Sequence, residues 1–522
     1  MNDWRPTHNP WLVAFVVTSA AFMEVLDTTI VNVALPHIAG SLSSSQDEAT
    51  WTITSYLVAN GIVLPISGWL SAIVGRRRFF VVCITSFTLF SVLCGLSTNL
   101  PELVAFRILQ GLFGGGLQPS QQAIMLDVFP PAQRARAFSI VGVAAVVGPV
   151  LGPTLGGFLT DHYSWRWIFL VNLPVGAMAA FAVTQVVEDP PWARADPARA
   201  RNIDFPGLGL IALGFGSLQL VLDRGEIDDW FDSPFICVFA ALALICIAGA
   251  VLWLLIARHP VVDVTLFRDR NFALGCLLMF IFAGMLYGNS LLMPQLVQQR
   301  FGYTSDLAGL VLSPGSLLTA MILPFVGKAM GRVQPRYLVA FGFTTFGLGS
   351  LYTSTLSPDV GFFWLMRARI AVMMGIACLF APISVSTTAT LTPDQNSAGA
   401  SLFVMARNLG GSVGISLAAA SVAQRSQIHM AYLAAHLSAL EQGFTHSLAQ
   451  HTQTLLGMGR TLMQASTQAQ GQFYQTLIRQ SSIMAYIDTF VYSGICALVV
   501  APLALLMRAR VACAVQQPGA PA

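Results

Sequence analysis

FMEVLDTTIVNVALP, residues 22–36, carries two carboxylic acids, Glu24 and Asp27, in a stretch that is otherwise largely apolar. Apolar residues also dominate from Trp11 to Met23 ahead of it. The combined segment is long enough to cross a bilayer, which needs about 20 apolar residues. Glu24 and Asp27 stand three positions apart, so both project from one helix face. A charged Asp at the centre of a spanning helix costs ~2.5–3.5 kcal/mol. Burial in an apolar medium favours the neutral form of a carboxyl, which is the property a proton carrier needs. The plainer alternative is a pair of hydrogen-bonded structural acids.

The rest of the chain has the same character. Of its 522 residues, 55% are hydrophobic and 10% charged, where soluble domains carry about 25% charged residues. Mean hydropathy is +0.68. This is the composition of an all-α polytopic membrane protein, whose helices meet lipid and satisfy their own backbone. The net charge of +3 and the lack of a basic run give no nucleic-acid footprint. Seven of the eight cysteines fall within apolar stretches, Cys513 being the exception, so neither a disulfide framework nor a metal site is expected. The first apolar segment is too long for a signal peptide and lacks a small-residue cleavage site, so it is expected to remain as span 1.

Fourteen candidate spans follow: 12–35, 50–73, 79–98, 101–127, 136–160, 166–187, 205–222, 233–257, 271–298, 306–330, 335–356, 361–390, 398–424 and 480–508. An even number puts both termini on one side. With the termini inside, the inner segments hold 17 Lys and Arg and the outer ones 6. That asymmetry predicts cytoplasmic termini by the positive-inside rule. The arrangement divides into a six-helix bundle (1–188), a cytoplasmic linker (189–204), an inserted two-helix pair with its following loop (205–270) and a second six-helix bundle (271–522). Two six-helix bundles around a cavity are the parallel-repeat plan of secondary transporters.

Arg107 lies about 6 residues, or ~9 Å, into span 4, and Asp27 about 8 residues, or ~12 Å, from the same side of span 1. A buried Arg needs a partner, so Arg107 is expected to pair with Asp27 or its surroundings. An Arg that approaches and withdraws would switch a neighbouring acid between states. In span 5, VVGPVLGPTLGG (146–157) repeats glycine every four residues, Gly148, Gly152 and Gly156, with Gly157 beside the last. Such a face packs closely against another helix, and Pro149 and Pro153 remove two backbone donors and bend it. Between spans 2 and 3, GWLSAIVGRRRFF (68–80) supplies Gly68, Gly75, Arg76 and Arg77 to a basic turn.

At these motifs the chain resembles the major facilitator superfamily, and more narrowly its fourteen-span drug:proton antiporters of the EmrB/QacA type. LDTTIVNVALP (26–36), LVAFRILQGLFGGG (103–116) and VVGPVLGPTLGG carry the likeness, which runs on through WRWIFLVNLPVG (165–176) and HPVVDVTLFRDRNFALG (259–275). The LDRG…DWF segment and a long outer loop point to the EmrB branch. The resemblance implies proton transfer involving Arg107, an antiporter motif in span 5 and a cytoplasmic gate at 68–78. Ala72 stands where the gate motif usually has Asp. No cofactor is implied beyond the proton gradient.

The resemblance further implies proton-driven export of hydrophobic or amphipathic toxic compounds across a bacterial inner membrane. The partners implied are a periplasmic membrane-fusion adaptor and an outer-membrane channel. Loop 425–479 has apolar residues at helical spacing (Tyr432, Leu433, Leu437, Leu440), so helices are expected outside the membrane. His429 and His436 share a face there, too little for a metal site. Gln118, Gln121, Gln122, Tyr287 and Asn289 are candidates for the substrate cavity. The alternative is a same-fold transporter of one metabolite, such as an aromatic acid, without an adaptor. No HExxH, GxSxG or Walker A sequence supports an enzyme or an ATP-driven pump.

Overall fold

Side-chain caps set where the helices begin. Asn9, Asn99, Asp204, Asp269 and Thr304 each accept a backbone N–H from the first turn that follows. Ser45 with Glu48, and Thr461 with Gln464, form reciprocal capping boxes. The structure is a computed structural model that describes residues 6–196, 204–257, 260–357, 359–435 and 442–507, and its described regular elements are all helical.

In chain order these are α1 (Pro10–Ser41), α2 (Gln46–Val74), α3 (Arg76–Leu96), α4 (Leu100–Gly114), α5 (Leu117–Val128), α6 (Pro131–His162), α7 (Trp167–Leu170) and α8 (Asn172–Val186). Then come α9 (Phe205–Arg224), α10 (Pro234–Ile256), α11 (Arg270–Gln295), α12 (Ser305–Ala329), α13 (Pro335–Thr353), α14 (Phe362–Ala377) and α15 (Phe380–Thr388). The chain closes with α16 (Asn396–Ala435), α17 (Gln442–Gly457) and α18 (Leu462–Ala504).

Among the described residues, 11 helices are long and apolar enough to cross a membrane, or up to 12 if the bent α6 is one span. The bend in α6 is 43° and falls between Pro149 and Leu151, where proline removes a ladder donor. Two of the fourteen expected spans are not in that count. Residues 100–128 are divided at Gly115–Gly116 into pieces of 15 and 12 residues. The 19-residue α13 is diluted by Gly, Thr and Ser. The chain is thus an all-α, multi-pass membrane protein.

Packing within the first part joins α1 to α6 and α8, α2 to α4, and α3 to α4 and α8. In the last part α11 packs on α16, α13 on α14 and α18, and α12 on α14. Contacts of α6 with α12 and of α2 with α16 tie the two parts together. α10 leaves large apolar side chains such as Leu244, Ile245 and Ile256 on the outside, as a lipid-facing helix does.

α16 and α18 have 40 and 43 residues, about 60 Å each at 1.5 Å per residue. A bilayer core is about 30 Å thick, so both extend well past it. α17 lies against the α18 extension, with Leu448, Leu455, Ala465 and Ala469 forming a small core. Tyr432 and Leu433 lie on α16. His436, Leu437 and Leu440 lie outside the described residues, as do Arg5, Arg199, Arg201, Arg258, Arg508, Arg510 and Cys513.

Candidate functional site

α1 carries its two acids into different surroundings. Asp27 is fully buried and accepts from Arg107 Nη1 at 2.6 Å through Oδ2. Its Oδ1 accepts from Gln110 Nε2 at 3.0 Å and Asn172 Nδ2 at 2.8 Å. Every one of these partners is a donor, so the pocket is built around a carboxylate acceptor. Arg107 is held from all sides. Its Nε donates to Thr52 O at 3.0 Å, its Nη1 to Gln110 Oε1 at 2.8 Å, and its guanidinium lies 4.1 Å from the Tyr56 ring centroid. The ring face partly compensates Nη2, which finds no acceptor among the described residues.

Glu24, one turn earlier, accepts from Tyr56 Oη at 3.3 Å, Asn60 Nδ2 at 3.2 Å and Gln118 Nε2. Unlike Asp27, it lines a cavity of about 350 Å³. The cavity is walled by α1, α2, α5, α9, α11 and α16, mostly by apolar side chains such as Leu57, Leu64, Leu291 and Leu409. Gln118 and Tyr287 line it as well. Gln121 and Gln122 are buried one turn further along α5 and are not in its wall, their Nε2 atoms lacking an acceptor among the described residues. Asn289 is also off the cavity; its Oδ1 accepts from Arg369 Nη1 at 2.7 Å.

The glycine repeat of α6 presses on the segment of α1 that holds the acids. A Cβ at Gly148 would come within 2.6 Å of Val25 Cγ1, one at Gly152 would collide with Thr29 Oγ1, and one at Gly156 would lie 2.8 Å from Ile30 Cγ1. Gly157 has more room, 3.8 Å from Val33. The repeat therefore fixes how closely α6 approaches the acid-bearing turns. Pro149 and Pro153 lie within the same stretch of α6.

The basic turn between α2 and α3 joins two parts of the molecule. Gly75 adopts φ +93°, a conformation that favours glycine. Arg76 is buried in an ion pair with Asp127 at the end of α5 and donates to Ser397 Oγ at 2.6 Å on α16. Asp127 Oδ1 also accepts from Asn396 Nδ2 at 2.8 Å and Trp192 Nε1 at 3.2 Å. A Cβ at Gly68 would lie 2.8 Å from Ser397 O, so α2 and α16 are in close contact here. The Arg77 N–H donates to Asp189 Oδ1 at 2.7 Å. Burial raises the Asp189 carboxyl above its usual range, opposed by that N–H and the charges of Arg76, Arg77 and Arg78. Ala72 contributes its carbonyl, which accepts from Asp196 N at 3.0 Å.

Between α16 and α18, Asp488 of α18 accepts from Arg425 Nε at 2.6 Å and pairs with His429 Nε2 at 2.8 Å. Among the described residues, no group of three His, Cys, Asp or Glu could hold a metal ion.

Sequence reasoning did not find Asn172, Asp127, Ser397 or the α9 residues of the cavity. Asp127 carried a signal, as a carboxylate at the mouth of span 4 facing a basic turn. Asn172 carried one as well: it sits about 6 residues into span 6, the same depth as Arg107 in span 4 and near that of Asp27 in span 1.

A multi-pass helical protein with a sealed ion pair next to a central cavity has the structure of a membrane transporter. The chain belongs to the major facilitator superfamily, whose description it matches over residues 17–415. It is similar to the multidrug export protein EmrB of Escherichia coli strain K12, with 34% identity over 94% of each chain. It is similar also to the fatty acid resistance protein FarB of Neisseria gonorrhoeae, with 33% identity over 94% of each. Among solved structures, the proton:xylose symporter XylE with a bound deoxyglucose derivative aligns at a TM-score of 0.57 and 14% identity, covering 96% of this chain and 99% of that one. The human organic anion transporter MFSD10 aligns at 0.54 and 16% identity, covering 94% and 99%. At such identities the structural likeness concerns the fold.

Proposed function

We propose that this protein exports hydrophobic or amphipathic toxic compounds in exchange for protons, by alternating access. It does so in the inner membrane of a bacterium, with both termini cytoplasmic. The observation that carries the reading is the junction at α1: Glu24 opens on the cavity, and Asp27, one turn away, is paired with Arg107. In this scheme Asp27 takes a proton only when Arg107, Gln110 and Asn172 withdraw. Solute in the cavity and proton at α1 then drive the same rocking motion. Gly148, Pro149, Gly152, Pro153, Gly156 and Gly157 form the hinge face. Gly68, Gly75, Arg76 and Arg77, with Asp127, close the cytoplasmic end.

The architecture we propose has fourteen spans, with residues 100–128 and α13 added to the twelve of sufficient length and apolarity. Residues 1–188 and 271–522 are the two six-helix bundles, 189–204 the linker and 205–270 the inserted pair. The names of the relatives support export of drugs and lipophilic acids. The projection at 425–479 supports docking of a periplasmic membrane-fusion adaptor that leads to an outer-membrane channel.

The test is transport in proteoliposomes under an imposed pH gradient. Uphill movement of a lipophilic solute that a protonophore collapses is expected; movement indifferent to the gradient would overturn the proposal. Adaptor recovery with and without residues 425–479 tests the docking, which equal recovery would remove.

A further inference from the structure

Between Glu48 and Glu102 the chain has no acid. Arg76, Arg77 and Arg78 therefore find no counter-charge on the inner part of α2 or on α3. They also stand in the first turn of α3, the end of a helix that disfavours positive charge. The N-cap of α3 is Gly75, which has no side chain to accept the free backbone N–H groups. The turn between α2 and α3 needs acceptors from another part of the chain.

The segment after α8 brings them. Residues 189–196, DPPWARAD, read from the sequence as the start of a linker, yet they are laid down on this turn. Asp189 Oδ1 accepts the Arg77 N–H at 2.7 Å, so it caps α3 from outside. Its Oδ2 lies 3.3 Å from where a Cβ at Gly75 would stand, and Ala195 N lies 3.4 Å from the same point. At the far end the Asp196 N–H donates to Ala72 O at 3.0 Å. In between, Pro190 and Ala193 are buried, and Pro190 and Pro191 restrict the backbone.

Trp192, at the middle of the segment, donates its Nε1–H to Asp127 Oδ1 at 3.2 Å. The same oxygen accepts from Asn396 Nδ2 of α16 at 2.8 Å. The short turn Pro191–Ala193 also lies against Pro393–Gln395, the turn that leads into α16. The contacts of Asp189, Asp196 and the indole are all made to the first part of the molecule. Those of Asn396 and of residues 393–395 cross to the last part. If α16 swings away, the second set breaks and the first set stays.

We infer that residues 189–196 are a strap of the cytoplasmic gate: Asp189 fixes the segment on α3, and Trp192 is a positioning residue that aims Asp127 at Asn396 and so holds the cytoplasmic side shut. This inference rests on the alternating-access reading above and adds to it the stretch of chain that braces one closed end.

The test uses the full chain in nanodiscs, with neither solute nor pH gradient. Ser401 of α16 is 1% exposed and lies behind the gate, its Oγ 2.9 Å from where a Cβ at Gly68 would stand. Maleimide labelling of Ser401→Cys, in a background without native cysteines, reads how often this end opens. Trp192→Ala should speed labelling about tenfold, the effect of one charge-assisted hydrogen bond. Trp192→Phe, which keeps a ring but loses the N–H, should speed it less. Asp189→Ala should also speed it, and should add less than about twofold when Trp192 is already Ala.

Two controls separate a strap from general loosening. A chain that keeps Cys94, 0% exposed, as its single cysteine should label at one slow rate with or without Trp192→Ala. In an Asn396→Ala background, Trp192→Ala should add less than about twofold, because the contact it serves is gone. An unchanged Ser401→Cys rate in Trp192→Ala, an equal acceleration at Cys94, or a full tenfold effect in the Asn396→Ala background would each overturn the strap. Labelling needs no proton drive. A failure of coupling in proteoliposomes therefore leaves its result standing, and a failure of the strap leaves proton-driven transport standing.

Discussion

Glu24 and Asp27 lie one turn apart on α1, yet only Glu24 reaches the cavity, while Asp27 is enclosed by Arg107, Gln110 and Asn172. The acid that opens on the cavity and the acid that meets arginine are therefore separate groups on one helix. A displacement of α1 moves both, so coupling requires no direct contact between solute and Asp27.

Asp27→Asn should fold and lose uphill transport. The chain already contains a buried arginine facing an amide, Arg369 with Asn289 at 2.7 Å, so an amide opposite Arg107 is a tolerable arrangement. The expected cost is about 1–3 kcal/mol, as for an impaired buried hydrogen bond, rather than the ~3–5 kcal/mol of a buried charge left without a partner. Thermal unfolding in detergent measures the first, and solute accumulation under a pH gradient the second. Downhill exchange should persist. Full accumulation by the variant would show that Asp27 is not the coupling acid.

Gly152→Ala should impair the protein more than Gly157→Ala. The added methyl collides with Thr29 Oγ1 at the first site and meets Val33 at 3.8 Å at the second. Overpacking of this kind costs about 1–3 kcal/mol. Thr29→Ala in the Gly152→Ala background should recover part of the loss in folded yield and transport. No recovery would mean that the glycine serves flexibility of α6 rather than its approach to α1.

Much of this was legible in the sequence because a bilayer imposes a length on each span. Depth could then be counted along span 1 and span 4, which brought Asp27 and Arg107 to one level. The glycine repeat declared a close-packing face, though not that Val25, Thr29 and Ile30 are what it packs on. Depth counting says nothing about which helices are neighbours across the molecule. For that reason Asn289 looked like a cavity residue until Arg369 was found on its amide. The α9 wall was hidden for the same cause, since order along the chain places the inserted pair outside both bundles. Residues 100–128 look like one span by hydropathy, but the Gly115–Gly116 turn divides them.

Asp127→Asn should open the end of the molecule closed by Arg76. The Arg76–Asp127 pair is buried and also holds Asn396 and Ser397 of α16. Breaking a buried pair costs about 3–5 kcal/mol, enough to shift a closed-to-open ratio by about a hundredfold or more. Spin labels at Val74 and Asp394, on either side of this contact, should give a longer and broader distance distribution in the variant. An unchanged distribution would assign the closure to the Gly68–Ser397 contact alone.

Asn289→Asp tests what makes an acid a coupling site. Arg369 is fully buried, its Nη1 bonded to Asn289 and its Nε without an acceptor among the described residues. A carboxylate at 289 would give this guanidinium the partner that Asp27 gives Arg107, and the pairing should raise thermal stability because the arginine is already desolvated. If an acid beside a withdrawing arginine is sufficient, the variant should carry one more proton per cycle, read as a shift in the solute gradient that balances a fixed pH gradient. If stability rises and stoichiometry stays as in the wild type, pairing alone does not make a proton site. Coupling at α1 would then depend also on the features that Asn289 lacks: the two amide donors on Asp27, and a second acid one turn away that opens on the cavity.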